Sequence, residues 1–199
     1  MSKDVEDLLQ ALKKPLADEW YNAIEKLTAM GTQNVDVYLR ILQSPAPDED
    51  PQDLIRGYIA GILGEIGDQR AFEPLIEAVE PQNEFLQEKA IGALGKLGDK
   101  RAIGFLVAHL RNHWNPDSRE EAAWALGNYP DGWVIRVLVR TFSDQSQIVR
   151  DAATFALIQI GKAARNEVLK ASSSPNQVVR EQALETLAEI DKRIRETED

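Results

Sequence analysis

The chain has 199 residues, no cysteine and a formal net charge of −10 at neutral pH. Without cysteine it has no thiol nucleophile, no disulfide and no cysteine-ligated metal. It contains no run of 18 apolar residues, and its first 14 residues alternate charge with leucine, so we expect no membrane span, no secretory signal and a soluble cytoplasmic protein.

The acidic excess lies in the first half of the chain. Residues 1–90 hold 18 Asp or Glu against 8 Lys or Arg, whereas residues 91–199 hold 15 of each. Such an excess ordinarily serves solubility. Because an acidic chain repels the phosphate backbone, we expect no binding to nucleic acid.

The N-terminal part predicts a short opening helix, an irregular helical pair and a loop. The opening helix spans residues 3–13, and the pair consists of residues 20–30 and 35–42, separated by Gly31. Residues 45–51 are polar and include three prolines, which predicts the longest irregular and most mobile segment of the chain.

A short motif then recurs at a nearly fixed spacing. It occupies residues 64–71, 95–102 and, in a weaker form, 127–131. The distance from Gly64 to Gly95 is 31 positions and that from Gly95 to Gly127 is 32. A period of this length predicts an array of stacked units and not a single-core enzyme fold.

Each unit predicts two helices. The first helix carries alanine and leucine at helical spacing, as at Ala90, Ala93, Leu94 and Leu97, which makes one apolar stripe. Glycine suits the left-handed end of this helix, at Gly67, Gly98 and Gly161. Aspartate suits the start of the second helix, where a carboxylate accepts free N–H groups, at Asp68, Asp99 and Asp131.

The pattern weakens toward the C-terminus. The pair Val149-Arg150 recurs as Val179-Arg180, and the last helix ends in a charged stretch at residues 191–199. Terminal repeats need a polar outer face, so this helix predicts a cap. We therefore expect one repeat domain over residues 1–199, with a degenerate unit and loop at 1–50, regular repeats at 51–171 and a capping helix at 172–199.

These residues resemble HEAT-like repeats, especially the short repeats of phycobilisome lyases. The shared pattern is the Val-Arg pair, an alanine-rich first helix, and Leu-Gly-x-hydrophobic-Gly-Asp-x-Arg-Ala, which occurs here at residues 63–71. The resemblance implies an all-α, right-handed α-solenoid of about five to six helical hairpins. It identifies the fold far better than the function, because such repeats occur in chromophore lyases, assembly adaptors and a few enzymes.

Two groups of residues could be mistaken for chemical sites. Asp68 and Arg70 recur as Asp99 and Arg101, which favours a structural role because stacked repeats need equivalent contacts in each unit. His109 and His113 are the only histidines and lie one helical turn apart. They are weak candidates for a metal site, since two ligands alone do not make a stable one.

Three tryptophans cluster in the middle unit. Trp124 aligns with Gly61, Gly92 and Phe155 in the other units, so it either fills a gap or contacts a partner. Trp114 and Trp133 flank helix ends and are the better contact candidates, because interfaces are enriched in tryptophan.

The predicted second helices carry charge in register. One row holds Glu73, Gly104 and Arg136, and the next holds Glu77, Ala108 and Arg140. This alignment predicts an inner, concave face with an acidic end and a basic end, which would orient a bound helix or tail. Ordinary solvated charge is the alternative.

We therefore expect a scaffold or adaptor that binds a protein on its concave face, with no catalysis of its own and no cofactor. The candidate contact residues share charge or aromatic character: Glu73, Glu77, Arg111, Trp114, Trp133, Arg136 and Arg140. The resemblance supplies the alternative of a bilin lyase subunit or phycobiliprotein-processing factor, with a second HEAT-like subunit or a phycobiliprotein as partner. A linear tetrapyrrole would then contact Tyr129, Trp133, Arg136 and Arg140.

Overall fold

The computed structural model describes residues 3–12, 17–45, 54–79 and 83–198. Within these ranges there are twelve α-helices and no strand, so the all-α repeat fold is confirmed. The helices, in chain order, are α1 (Lys3–Ala11), α2 (Ala17–Met30), α3 (Val35–Gln43), α4 (Leu54–Ile66), α5 (Phe72–Val79), α6 (Glu84–Leu97), α7 (Ala102–Asn112), α8 (Pro116–Leu126), α9 (Gly132–Thr141), α10 (Gln147–Ile160), α11 (Arg165–Ala171) and α12 (Gln177–Glu198).

The helices fall into two compact units, residues 1–99 and 100–199. In unit 1, α2, α4 and α6 pack side by side in one layer, α3 and α5 form a second layer, and α1 packs on α2. In unit 2, α8, α10 and α12 form the first-helix layer, and α7, α9 and α11 form the second-helix layer. The predicted subdivision at residues 50 and 171 stays a prediction.

The N-terminal prediction matches the structure closely. The opening helix is α1, and the irregular pair is α2 and α3, joined by a 3₁₀ turn at Gly31–Gln33. Most of the predicted loop at 45–51 lies outside the described residues.

Glycine lets the first helices of each unit approach closely. A Cβ added to Gly64 of α4 would lie 2.7 Å from the Cα of Ala93 in α6. A Cβ added to Gly127, directly after α8, would lie 3.1 Å from the Cα of Ala156 in α10. Two of the motif glycines therefore mark the points where one repeat presses on the next.

The predicted helix boundaries are confirmed in part. Gly67 and Gly98 adopt left-handed φ values of 73° and 67°. Asp68 accepts the amide of Arg70 at 3.0 Å, and Asp131 accepts the amide of Trp133 at 2.7 Å. The structure begins α7 after Arg101, which makes no side-chain cap, and Gly161 has a positive φ of 71° but a ψ of −134°, outside the left-handed helical region.

A recurrent side-chain anchor holds the turn before each first helix of unit 2. The Nη1 atom of Arg119 donates to the carbonyl of His113 at 3.0 Å. Arg150 and Arg180, which lie 31 and then 30 positions further on, donate in the same way to the carbonyls six residues before them, at 2.8 and 2.7 Å. The arginine of the Val-Arg pattern thus holds the turn against the helix that follows it through a hydrogen bond.

Unit 1 uses the same register for the same purpose. Arg56 donates to the carbonyl of Leu42 at 2.9 Å, and Gln87 donates to that of Val79 at 2.9 Å. These anchors donate to backbone carbonyls of the turns, which separates them from the cations discussed next.

Candidate functional site

The second-helix layer of unit 2 exposes cations that have no acidic partner. Arg111, Arg136 and Arg140 are exposed, and α7 and α9 contain no Asp or Glu. None of the three forms an ion pair within the described part of the chain. By contrast, Arg119 pairs with Asp144 at 2.9 Å. Arginines in this unit therefore divide into structural anchors and exposed cations that remain available.

Two of the exposed arginines share a groove. Arg111 and Arg140 lie in the last turns of α7 and α9, where the negative end of the helix dipole favours a cation. Both line a small groove of about 180 Å³, together with apolar atoms of Leu110 and Val137. Arg136 lies one turn before Arg140 and so shares its side of α9. The three candidate cations are thus gathered on neighbouring helices.

Asp144 also lines this groove, but its carboxylate is engaged by Arg119. Burial raises the pKa of Asp144, and the hydrogen bonds from Arg119 and from the Ser146 amide outweigh this effect, so the pKa is lowered overall. The groove therefore keeps a negative group at one end that is already neutralised by an ion pair.

The two tryptophans that we singled out are exposed. Trp133 is 42% exposed on the first turn of α9, and Trp114 is 78% exposed just after α7. Trp114 ends a row of stacked rings that continues through His113 and His109 to Phe105, with centroid distances of 5.9, 4.4 and 6.1 Å. Both tryptophans are available for contact at the ends of the second helices.

The histidine pair has the wrong geometry for a shared metal. The rings of His109 and His113 stack face to face at 20°, so the nitrogen lone pairs, which lie in the ring planes, run parallel instead of converging. His113 Nδ1 also accepts the amide of Asn115 at 3.2 Å. Among the described residues, no group of three or more His, Cys, Asp or Glu side chains could hold a metal ion.

His109 is held in its neutral form. Burial, with a smaller effect from neighbouring His113, lowers its pKa to about 4. Its Nε2 atom is buried and has no hydrogen-bond partner. A neutral, stacked ring of this kind is part of the packing of α7.

Two aromatic residues differ from expectation. Tyr129 is only 4% exposed, so the suggested wall of a tetrapyrrole site is placed in the core and is not accessible. Trp124 is 37% exposed and stacks on Phe155 with centroids 5.2 Å apart, and its contact with a partner stays a prediction.

The acidic ends of the predicted rows lie in unit 1. Glu73 and Glu77 are exposed one turn apart on α5. Gly104, Ala108, Arg136 and Arg140 are exposed in unit 2. The periodicity therefore predicted correctly which positions face solvent, and their continuity as one concave groove stays a prediction.

The repeat motif itself is local structure. Asp68 and Arg70 pair at 2.9 Å, and the hydrogen bonds from Arg70 lower the pKa of Asp68. Arg70 also reaches Asp36 at 2.7 Å. This pairing supports the structural interpretation of Gly-Asp-x-Arg. In the part of the chain that the structure covers, no helix has the length and apolarity needed to cross a membrane.

Comparison with known proteins agrees with this architecture. A family model of HEAT repeats matches residues 47–127 and 103–188. The complex of CpcE and CpcF of phycocyanin lyase from Nostoc sp. PCC7120 is similar at 23% identity, over 92% of this chain and 75% of that chain, with a TM-score of 0.57. A designed armadillo repeat protein in complex with the peptide (KR)4 is similar at 18% identity, over 95% and 100% of the two chains, with a TM-score of 0.56. The comparison with curated proteins finds no match.

Proposed function

This chain belongs to the HEAT-repeat family, and on that basis we propose that it is a protein-binding scaffold whose α7–α9 surface binds an acidic segment of a partner. We define the α7–α9 surface by Arg111, Trp133, Arg136 and Arg140. The observation that carries the proposal is the exposure of these three arginines without any carboxylate on α7 or α9. The designed armadillo repeat protein, which is in complex with a peptide, supports peptide binding as a use of such repeats.

The chemistry of this surface suits a carboxylate-bearing chain. Each guanidinium presents planar, paired N–H donors that match a carboxylate. The exposed ring of Trp133 offers apolar area at one end of α9, and tryptophan is a frequent anchor of interfaces. Because exposed charge contributes more to association rate than to affinity, we expect binding that weakens with salt.

The proposal is tested by affinity capture from the source lysate, with mass spectrometry of the bound proteins. Wild type is compared with Arg136→Glu/Arg140→Glu and with Lys192→Glu/Arg195→Glu, a control that makes the same charge change on α12. We expect one partner to be lost only from the first variant. Its purified complex should weaken at least about tenfold between 50 and 300 mM salt, since several ion pairs are screened. Equal capture by all three proteins would contradict the proposal.

A second candidate function is a subunit that handles a linear tetrapyrrole or its phycobiliprotein, supported by the likeness to the phycocyanin lyase complex. Arg136 and Arg140 would bind propionates and Trp133 would contact a ring. The burial of Tyr129 removes one of the groups that this function was expected to use.

Absorption spectroscopy separates the two candidates. A free linear tetrapyrrole mixed with the protein should show a shifted, sharpened visible band if it is bound in one conformation. Replacing Arg136 and Arg140 by Gln should remove the shift. An unchanged spectrum at saturating protein would exclude this second function and leave the first intact.

A further inference from the structure

The first-helix layer of unit 2 carries an apolar surface that the proposed function does not use. Large apolar side chains are exposed there on the three first helices α8, α10 and α12, at Trp124, Ile148, Phe155, Val178 and Leu184. Single exposed apolar residues are ordinary, but contiguous ones mark interaction sites. Trp124 of α8 and Phe155 of α10 are contiguous, because their rings stack at 14° with centroids 5.2 Å apart.

These rings are not required by the packing of the repeat. Trp124 and Phe155 occupy the register held by Gly61 and Gly92 in unit 1. A Cβ added to Gly61 would meet no atom within 4 Å, so in unit 1 this position makes no packing contact with a neighbouring helix. Phe155 is 51% exposed even with its partner stacked upon it. The aromatic pair is therefore a feature of the surface of unit 2.

A groove adjoins the aromatic pair. It lies between α10 and α12, has a volume of about 700 Å³, and is lined by Phe155 and three carboxylates, Asp151, Glu185 and Glu189. The one cation in its lining is Arg193. The neighbouring Thr154 and Gln182 are buried and bond to each other at 2.8 Å, which fixes the two helices on either side.

The charge of this groove is largely uncompensated. Glu185 forms no ion pair within the described residues, and Asp151 accepts only the amides of Gln147 and Gln182, at 2.7 and 3.4 Å. Glu189 has loose contacts of 3.8 Å with Lys192 and Arg193.

The two anchor arginines of these helices are not among the residues that line the groove, although Arg150 donates to Gln147, which lines it. Arg150 and Arg180 donate to carbonyls of the turns before α10 and α12. The groove therefore presents carboxylates beside exposed aromatic faces.

We propose that this groove and the aromatic pair bind a basic, extended segment of a protein partner. One guanidinium or ammonium group lies over an outer face of the stacked Trp124 and Phe155 rings, where the ring face attracts a cation. A second reaches Asp151 and Glu185 in the groove. Neighbouring helices lie about 10 Å apart and an extended chain spans about 3.3 Å per residue, so crossing from α8 to α12 takes about six residues.

The site is opposite in charge to the α7–α9 surface and does not depend on it. Titration with fluorescein-labelled hexa-arginine, followed by anisotropy at 100 mM salt, tests it. Phe155→Ala should weaken binding about two-fold to thirty-fold, the range expected for loss of a cation–π contact. Glu185→Gln should weaken it less. The circular dichroism and melting temperature of each variant are measured to establish that it is folded.

Matched controls distinguish a site from general attraction to an acidic protein. Trp114→Ala removes another exposed ring, Glu77→Gln removes another exposed charge, and Arg136→Glu/Arg140→Glu alters the α7–α9 surface. All three should bind hexa-arginine at least as well as wild type. In a variant with Trp20, Trp114 and Trp133 replaced by Phe, the emission of Trp124 should change on binding.

Three results would overturn the proposal. Equal losses from Glu77→Gln and Glu185→Gln, with none from Phe155→Ala, would show diffuse attraction. Unchanged Trp124 emission at saturation would place the peptide elsewhere. Light scattering that showed self-association, abolished by Phe155→Ala, would assign the surface to a second copy of the chain. Each of these results leaves the test of the α7–α9 surface unaffected.

Discussion

The two units share their internal contacts and differ in what they place at one surface register. Both have a glycine pressed against an alanine of the next first helix, at Gly64 and Gly127. Three positions before each glycine, unit 1 has Gly61 and unit 2 has Trp124. The position whose Cβ would meet the backbone of the next first helix is thus glycine in both units, while the position whose Cβ meets no atom in unit 1 carries a large side chain in unit 2.

Because of this difference between Gly61 and Trp124, unit 1 has a hollow at this position and unit 2 has a pair of aromatic rings. In unit 1, Gly57 and Gly61 floor a hollow of about 360 Å³, with Tyr58 and Phe85 among its walls. In unit 2, stacked Trp124 and Phe155 stand at the same register. In this repeat array the residues of the shared motif are therefore alike in both units, and the surface of each unit depends on the position that differs between them.

The largest expected effect comes from breaking the shared contact. Gly64→Ala should lower the free energy of unfolding by about 3 kcal/mol, because the new Cβ meets the backbone of Ala93 and overpacked sites cost about that much. Gly61→Ala, its matched control, should raise stability by about 0.5–1 kcal/mol, since alanine favours a helix and the site is open.

Urea unfolding followed by circular dichroism measures both variants. Gly127→Ala provides a check in unit 2, with a smaller loss than Gly64→Ala because the nearest atoms lie 3.1 Å away instead of 2.7 Å. Equal stability of the Gly61 and Gly64 variants would contradict the distinction between contact and surface registers.

The next effect separates anchor arginines from exposed ones. Arg119→Ala should lower the free energy of unfolding by about 2 kcal/mol. The substitution removes a largely buried ion pair and two hydrogen bonds to carbonyls of the turn. Arg136→Ala, which removes an exposed cation, should stay within about 0.5 kcal/mol of wild type. Thermal and urea unfolding of the two variants at pH 7 measures the difference.

The effect of Arg119→Ala should also depend on pH. The pKa of Asp144 is lowered in the folded protein, so the pair stabilises the fold above the ordinary carboxyl pKa and loses this contribution as the pH falls through the folded value. The gap between wild type and Arg119→Ala should therefore narrow between pH 5 and pH 3. A constant gap would assign the loss to packing alone.

The fold could be predicted well from the sequence because the pattern that specifies each helix is local and recurs in every repeat. Apolar spacing and glycine positions placed α2, α3 and the regular helices, since each repeat meets the same contacts. The end of α10 departs from the pattern, because Gly161 has a positive φ but leads into a 3₁₀ turn and not into the left-handed cap seen at Gly98. The 31-position period also fixed which second-helix residues face solvent, as at Glu77 and Arg140.

The site could be predicted only in part. The sequence marked Arg136 and Arg140 through the rows of the second helices, but it did not identify Arg119 as an anchor, because only the structure shows which carbonyls are in reach. It offered Tyr129 as a surface ring, although the turn after α8 folds it inward. The alignment of Trp124 with Phe155 was visible, but their stacking depends on how α8 and α10 pack.

The two units also differ in pH sensitivity at one position of their second helices. Unit 1 has buried Ala78 where α7 has His109. Because the folded pKa of His109 is about 4, below the ordinary value near 6.5, its neutral form stabilises the fold above pH 6.5, and this stability is lost as the pH falls toward 4. The free energy of unfolding should fall by about 1 kcal/mol over this pH range, a value reduced because the His109 side chain is partly exposed.

Two measurements check this effect. NMR titration of the ring protons should give His109 a pKa well below the ordinary value of about 6.5. His109→Ala, which copies unit 1, should show a smaller decrease in unfolding free energy between pH 7 and pH 4.5 than wild type does. Parallel pH profiles for the two proteins would contradict the assignment, whatever their difference in absolute stability.

The smallest expected effect concerns one register at the ends of the first helices, where the units use different chemistry. In unit 1, Lys96 pairs with Glu65 at 2.5 Å, and in unit 2, Gln159 donates to Asn128 at 3.1 Å. Because both pairs are exposed, Lys96→Met and Gln159→Met should each cost less than about 0.5 kcal/mol. The two should differ in salt dependence: the loss from Lys96→Met should vanish in 1 M NaCl, where charges are screened within about 3 Å, and that from Gln159→Met should persist. Urea unfolding at low salt and in 1 M NaCl measures the loss of unfolding free energy in each variant. Equal salt dependence of the two losses would mean that the charges of Lys96 and Glu65 contribute no more to stability than the neutral contact of Gln159 with Asn128 does.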